Sequence, residues 1–357
     1  MSWLLAFVGF AALIILHEAG HFFAAKAVGM RVERFSLFFP PLVARYKRGE
    51  TEYAIGSIPL GGYVKITGMN PAEDIPPEHA HRAYYRQPVW KRIVVIGAGP
   101  LVNIVLAFVI LAGVLVARGP VEPPLVVGAV QSGTPAQGKL QTGDKVIAVD
   151  GKRLTGDYGK QIDTVTETVG AHKGDAVTFT VDRNGQQVTV SGNTFLDRKL
   201  DKPRYRFGFG YDPEAMRTDV GPLRASGIAV DQMWLVTSTT VSHIAQIFKA
   251  EKREEIGSVV GGYESTRQTI KQNDLLNTLT ILALISLSLG VINLFPFLPL
   301  DGGHIFWALA EKVRGKAIPF SVMERAGFVG FALVLMLFVI GLSNDIDRIQ
   351  NGGFGIR

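Results

Sequence analysis

The stretch that decides the fold is Leu13-Ile14-Ile15-Leu16-His17-Glu18-Ala19-Gly20-His21-Phe22-Phe23. Its apolar flanks predict a helix in lipid, where ionisable side chains cost several kcal/mol and therefore indicate function. His17 and His21 stand four positions apart and share one helix face. That spacing lets both imidazoles bind one Zn²⁺, with Glu18 as general base. The sequence therefore predicts a hydrolase whose chemistry takes place inside a membrane.

The composition agrees with a membrane protein. The chain has 357 residues, of which only 19% are charged, and its mean hydropathy is +0.23. The formal net charge is +6, but no basic stripe interleaved with aromatic residues indicates a nucleic-acid partner. We expect the Lys and Arg residues to line the cytoplasmic side of a bilayer. The absence of Cys excludes thiol catalysis, thiolate metal sites and disulfides.

Four apolar stretches have about the 20-residue length that crosses a bilayer core. They are Trp3 to Val28, Ile93 to Val116, Leu275 to Leu294, and Ala326 to Leu342. The loops after the first and third stretches are rich in Lys and Arg, which places them in the cytoplasm. The N-terminus, the long middle segment and the C-terminus are then expected outside the cytoplasm.

A third metal ligand is expected from the end of the third stretch. Pro296 and Pro299 interrupt the helix there, because proline lacks an N–H and clashes with the preceding turn. Asp301 follows, and the predicted topology brings it to the depth of the two histidines. Two imidazoles and one carboxylate leave the fourth position of a catalytic zinc for water.

The polar parts of the chain predict two smaller structures. Residues 35–66 read as a small antiparallel sheet with a corner at Gly61-Gly62, whose edge strand could receive an extended peptide. Residues 119–212 alternate short Val-rich strands with one amphipathic helix, and Asn184-Gly185 marks a hairpin turn. Met233 to Phe248 reads as an interfacial helix.

These motifs together resemble the site-2 protease family of intramembrane zinc metalloproteases. The residues that carry the resemblance are His17 to His21, Gly99-Pro100 with Asn103, Gly61 to Lys65, and Asn293 to Asp301 followed by Gly302-Gly303-His304. The middle domain resembles a PDZ domain of the bacterial RseP-like branch. Only one such domain is legible, and Gly257 to Gly261 lacks the Pro that the family often has there.

The resemblance implies a role for each matched residue. His17, His21 and Asp301 match the ligands of a Zn²⁺ cofactor, and Glu18 matches the catalytic base. Asn293 matches a residue that contacts substrate or the reacting carbonyl. The family's membrane-associated β-hairpin corresponds to a possible substrate-binding segment, Gly61, Gly62, Tyr63, Val64 and Lys65.

The resemblance also implies partners and a location. The expected substrates are single-pass membrane proteins such as anti-sigma factors or remnant signal peptides, cleaved in regulated intramembrane proteolysis. The expected surroundings are the lipid bilayer of the bacterial cytoplasmic membrane, without nucleic acid. The PDZ-like domain either binds a peptide or C-terminus, or acts as a size filter.

The predicted fold class is a mainly α-helical polytopic membrane protein with four transmembrane helices, a cytoplasmic-side β-hairpin sheet and an inserted α+β PDZ-like domain. The predicted division is a first membrane half at 1–118, the PDZ-like domain at 119–212, a connector at 213–274 and a second membrane half at 275–357. The alternative function is a catalytically silent PDZ membrane scaffold, against which the intact His, Glu and Asp residues argue. Serine and aspartyl intramembrane protease motifs are not found in the spans.

Overall fold

A computed structural model describes residues 1–70, 73–198, 203–246, 257–272 and 274–350. The chain divides into two compact units, one formed by residues 1–112 with 226–357 and the other by residues 113–225. The helices, in chain order, are α1 Ser2–Ala27, α2 Val89–Arg118, α3 Tyr158–Ala171, α4 Pro222–Ala245, α5 Val259–Lys271, α6 Leu275–Asn293, α7 Asp301–Arg314 and α8 Phe320–Gln350.

Four helices in the described residues are long and apolar enough to cross a membrane: α1, α2, α6 and the Ser321–Gln350 part of α8. The four predicted stretches are confirmed as helices. The bounds of α1 and α6 agree with the prediction within one residue, whereas α2 begins four residues earlier and ends two residues later than predicted. The fourth is much longer than Ala326 to Leu342, at 31 residues. Helical hydrogen bonding continues through its polar ends, which a search for apolar residues does not detect.

The region after α6 corrects one prediction. Asp301 was expected at the broken C-terminal end of the third apolar helix, but it is the first residue of a separate helix, α7. The linker from Leu294 to Leu300 contains both prolines and ends α6. A carboxylate in a first helical turn is stabilised by the helix dipole, which favours Asp301 as a helix start.

The sheet of the first unit consists of two long strands, β1 Val32–Arg48 and β2 Thr51–Ile66. Residues 34–37 of β1 pair with 62–65 of β2 on one side and with 52–55 on the other. Residues 44–48 pair with 51–55, so the sheet order is 62–66, 32–37, 51–55, 44–48. The segments 62–66 and 44–48 are therefore the edges of this sheet. Residues 34–37 meet 52–55 in rising order and 62–65 in falling order, so β2 changes direction between 55 and 62, and the predicted Gly61-Gly62 corner falls at the end of this reversal.

The second unit is a small sheet with one helix packed against it. Its strands are β3 Leu125–Val130, β4 Lys145–Val149, β5 Lys152–Arg153, β6 Ala176–Arg183, β7 Gln186–Asn193, β8 Phe195–Asp197, β9 Arg204–Arg206 and β10 Phe209–Tyr211. The main sheet has the order β10-β3-β4-β6-β7, with β5 on β4, and β8 pairs with β9. The predicted strands, the helix α3 and the Asn184-Gly185 turn are present. The short strands β5, β8, β9 and β10 were not predicted.

The core of this unit is apolar and continuous. Val127, Val149 and Phe179 are fully buried, and Val165 of α3 packs on them.

The predicted interfacial helix also differs in extent. It begins at Pro222 and ends at Ala245, while residues 247 and 248 of the prediction lie outside the described residues. Proline is favoured in a first helical turn, where its missing N–H has no partner to lose.

Candidate metal centre

Helix α1 presents two buried histidines on one face. His17 is 7% exposed and His21 is 6% exposed. Nδ1 of His21 lies 2.9 Å from the carbonyl oxygen of Val95 in α2. A carbonyl oxygen only accepts, so Nδ1 is the donor. In a neutral imidazole this leaves the lone pair of Nε2 free to bind a metal.

Asp301 completes a three-donor cluster with these imidazoles. Its Oδ2 lies 3.2 Å from Nε2 of His17 and 3.3 Å from Nε2 of His21. The two Nε2 atoms are 3.3 Å apart. Zinc bonds to nitrogen and oxygen are about 2.0–2.1 Å long, so adjacent donors of a tetrahedral site stand about 3.3 Å apart. The three donors therefore fit a zinc ion.

The Oδ2 atom of Asp301 agrees with a metal site. Oδ2 of Asp301 and Nδ1 of His17 are buried, and neither has a hydrogen-bond partner among the described residues. A buried polar atom without a partner is destabilising. For Oδ2 of Asp301, a bound cation removes this penalty. The set of His17, His21 and Asp301 is the group of metal-binding side chains found in the described part of the chain.

Close packing of α1 on α2 explains the glycines near the cluster. A Cβ at Gly99 would lie 2.2 Å from Nε2 of His21, so the imidazole occupies the space that a side chain would take. A Cβ at Gly20 would lie 2.6 Å from the carbonyl oxygen of Ala98. The two helices approach closely only because both positions are glycine. Gly99 thus shapes the site, which the sequence motif alone did not reveal.

Glu18 lies beside the edge segment of the sheet. A Cβ at Gly62 would stand 2.9 Å from Cγ of Glu18, so β2 passes directly over this side chain. The backbone of Val64 also interacts with the Glu18 carboxylate. The structure therefore brings Glu18 together with the backbone of Gly62 and Val64.

The other residues of the predicted substrate-binding segment contact residues of the neighbouring strand β1. Tyr63 accepts a hydrogen bond from Arg34 at 3.1 Å, and its ring stacks on Phe39. Lys65 lies 2.7 Å from Glu33 in an ion pair. Its hydrogen bond to Glu33 raises the pKa of Lys65, which keeps it charged. Gly61 stands against the Phe39 ring.

Two Asn residues of the helices are among the residues that carry the family resemblance. Asn293 is the last residue of α6 and is half-buried. None of the hydrogen bonds among the described residues joins it to the three donors. Asn103 is fully buried, and its side-chain amide has no partner in the described chain. Its backbone carbonyl accepts from Ser286 Oγ at 3.0 Å, which ties α2 to α6.

The comparison with known proteins agrees with this geometry. The sequence profile of Peptidase family M50 matches residues 5–337.

The chain belongs to peptidase family M50.

Similar proteins occur across bacteria. A "Putative zinc metalloprotease" of Nostoc sp. is 30% identical over 357 residues, which cover 98% of this chain and 97% of that protein. A protein of the same description from Clostridium perfringens is 30% identical over 352 residues, covering 97% and 98%. The "Metalloprotease MmpA" of Caulobacter vibrioides is 27% identical over 378 residues, covering 95% and 93%.

Membership of the family identifies the cofactor and the reaction class. This M50 peptidase is a zinc metalloprotease with several membrane-spanning helices, and the zinc prediction is confirmed.

The Val95 carbonyl that orients His21 was not predicted from the sequence. It is a backbone group, and any residue type at that position supplies it.

Proposed function

We propose that this M50 peptidase is an intramembrane endopeptidase that cleaves single-pass membrane proteins within or near their spans. The observation that carries the proposal is the convergence of Asp301 on two histidines of an apolar, membrane-length helix. His17 lies about 22 Å along α1 from Ser2, at 1.5 Å per residue. This distance along the helix supports hydrolytic chemistry at membrane depth.

Four residues have separate roles in the proposed reaction. His17, His21 and Asp301 would hold the zinc ion through the donor atoms that already face one another. A bound zinc ion supplies Lewis acidity, which makes water more acidic and polarises a carbonyl oxygen. The carboxylate of Glu18 accepts the proton of the attacking water and delivers it to the leaving amine nitrogen.

The edge segment 62–66 is the proposed substrate-binding strand. Within the described residues it pairs with 32–37 on one side only. A helical substrate hides its peptide bonds in its own hydrogen bonds, so it must be extended before hydrolysis. An added strand at this edge would hold the extended chain beside Glu18.

Proline substitution tests this strand pairing. We expect V64P to reduce cleavage because proline removes a backbone N–H at the edge nearest Glu18. A44P, on the opposite edge of the same sheet, is the control and should cleave like wild type. Equal cleavage by both variants would contradict the proposed substrate strand.

The remaining proposals concern the branch of the family and its substrates. We assign residues 119–212, which lie within the 113–225 unit, as a single PDZ-like domain of the RseP-like branch, supported by its six-stranded sheet and packed helix α3. It either binds a peptide or C-terminus or filters substrates by size. The proposed substrates are anti-sigma factors and remnant signal peptides, processed in regulated intramembrane proteolysis.

The decisive experiment measures cleavage of a single-pass test substrate in liposomes. We expect E18Q to retain stoichiometric zinc but to cleave about 10²–10⁴-fold more slowly, the usual contribution of a general base. D301A should lose zinc and activity together. Cleavage by E18Q at the wild-type rate refutes the proposal. A wild-type protein that binds zinc but never cleaves supports a scaffold instead.

The proposed orientation is tested by labelling, since the chain has no native Cys. Exposed Glu167 of α3 and exposed Lys47 of β1 are suitable positions for single Cys substitutions. An impermeant maleimide should label E167C in intact spheroplasts and K47C only after permeabilisation. The reverse pattern contradicts an N-terminus and PDZ-like domain outside the bacterial cytoplasmic membrane.

A further inference from the structure

The N-terminal part of α2 contacts both halves of the metal site. Its Val95 carbonyl holds His21 of α1 through a 2.9 Å hydrogen bond. In the same region, Val95 and Ile96 form an apolar cluster against which Ile305 of α7 packs. Helix α7 carries Asp301 as its first residue. The position of Asp301 relative to His21 therefore depends on how α7 sits on α2.

An ion pair between Arg92 and Glu311 joins the same two helices. The guanidinium donates from Nη1 to Oε2 at 2.9 Å and from Nη2 to Oε1 at 2.7 Å. The Arg92 side chain is only 8% exposed, and its guanidinium lies 6.0 Å from the Tyr84 ring centroid. A two-bond fork fixes the orientation of both partners, which a single contact to a flexible ammonium does not.

The ion pair and Asp301 are at opposite ends of α7. Glu311 follows Asp301 by ten positions, or about 15 Å along the helix. At the other end, a Cβ at Gly302 would lie 2.1 Å from the Leu294 carbonyl oxygen, so the start of α7 is tightly packed. Ligand distances in metal sites hold within about 0.2 Å, so a small rotation of α7 would misplace the Asp301 carboxylate.

We propose that the Arg92–Glu311 ion pair is a positioning element for the zinc site, because it sets the rotation of α7 on α2 and thereby the place where Asp301 meets the two histidines. This inference rests on the proposed ligand set. Arg92 and Glu311 act through Asp301 and touch neither substrate nor metal. Their loss weakens zinc binding without removing a donor atom.

The chain offers a matched control for this test. Glu50 also receives a two-bond fork, from Nη1 and Nη2 of Arg82 at 2.6 and 2.9 Å. Its side chain is 30% exposed, against 29% for Glu311. The Arg82–Glu50 pair has no contact with α7 among the described interactions. E50Q therefore makes the same carboxylate-to-amide change away from Asp301, and it also removes the bond that Glu50 accepts from Lys26 Nζ of α1 at 2.6 Å.

The experiment measures the zinc dissociation constant of full-length protein in detergent by competition with a chromophoric chelator. We expect E311Q to raise the zinc Kd about tenfold, in the range seen for groups that orient ligands, and E50Q to leave it unchanged. An E311Q-to-E50Q ratio of about three or more supports the inference, and a smaller ratio overturns it. Comparing the zinc Kd of R92K with that of R82K repeats the test with the positive charge retained. This comparison decides the outcome if E311Q does not fold.

Two further measurements separate the possible failures. A purely structural ion pair would lower the melting temperature of zinc-free E311Q below that of E50Q while leaving the zinc Kd unchanged. H17A reports on the ligand set itself. If H17A binds zinc as wild type does, the proposed function fails. If H17A loses zinc while E311Q binds normally, only the positioning inference fails.

Discussion

Adding one methyl group at Gly99 gives a direct test of the metal site. In G99A the new Cβ would lie 2.2 Å from Nε2 and 2.5 Å from Cε1 of His21. Ordinary van der Waals contact begins at about 3.4 Å, so the imidazole must retreat by about 1.2 Å or α2 must move away. That is several times the tolerance of about 0.2 Å for a metal–ligand distance.

The expected loss follows from that displacement. A misplacement of about 1 Å at a catalytic group costs on the order of 10²-fold in rate. We therefore expect G99A to weaken zinc binding and to lower kcat/KM by at least about 100-fold each. Zinc affinity is measured by chelator competition, turnover with a single-pass substrate in liposomes, and helix content by circular dichroism.

The control is the same change two positions earlier on the same helix. In G97A the nearest atom is Cδ1 of Ile305 at 3.9 Å, an ordinary contact. Alanine also favours a helix over glycine by about 1 kcal/mol, so G97A should fold at least as well as wild type. If G99A binds zinc within about threefold of G97A, the close contact with His21 does not govern the site and the reasoning is wrong.

Three further predictions concern stability. D345N should destabilise the protein by about 1.5–3 kcal/mol in thermal unfolding, because the fully buried Asp345 carboxylate accepts two backbone hydrogen bonds and one hydroxyl bond at the start of α5. Hydrogen bonds from Arg82 lower the pKa of Glu50 from 4.5 to about 2, so its stabilising contribution is complete above pH 4.5 and declines as the pH falls toward 2. E50Q should reduce the pH dependence of the free energy of unfolding between pH 4.5 and about pH 2. D144N should lower the free energy of unfolding by about 3 kcal/mol, because it disrupts the bidentate pair between the buried Asp144 carboxylate and Arg183; unchanged unfolding would contradict this.

Local patterns predicted much of the fold and the histidine pair of the candidate site. The four-residue spacing of His17 and His21 specifies a shared helix face, and the structure brings both imidazoles together. The Asn184-Gly185 turn follows from backbone preferences, and both residues have positive φ. In each case the relevant information lies within a few positions of the chain.

Other features depend on contacts that local patterns do not contain. The two-sided pairing of residues 34–37 requires knowledge of both partner segments of β2. The helix start at Asp301 runs against the low helix propensity of Gly302 and Gly303. These glycines are needed because a side chain at either position would overlap the preceding linker. Tertiary packing overrides propensity at this point.

The sequence also did not predict the contacts that position the metal-binding side chains. Arg92 reads as one more cytoplasmic basic residue, and no role was predicted for Glu311. Their pairing across 219 positions becomes visible only when α2 and α7 are side by side. The Val95 carbonyl is a backbone group, so the residue type at this position does not indicate its role.

The distance along the chain between the donors has a consequence for biosynthesis. His17 and Asp301 are 284 positions apart, and they come from the first and the seventh helix. Synthesis proceeds from the N-terminus, so the histidine pair exists long before its carboxylate partner emerges. A partly made chain therefore lacks a complete zinc site. With the proposed ligand set, the nascent chain cannot assemble its zinc site until Asp301 has been made and α7 has packed against α2.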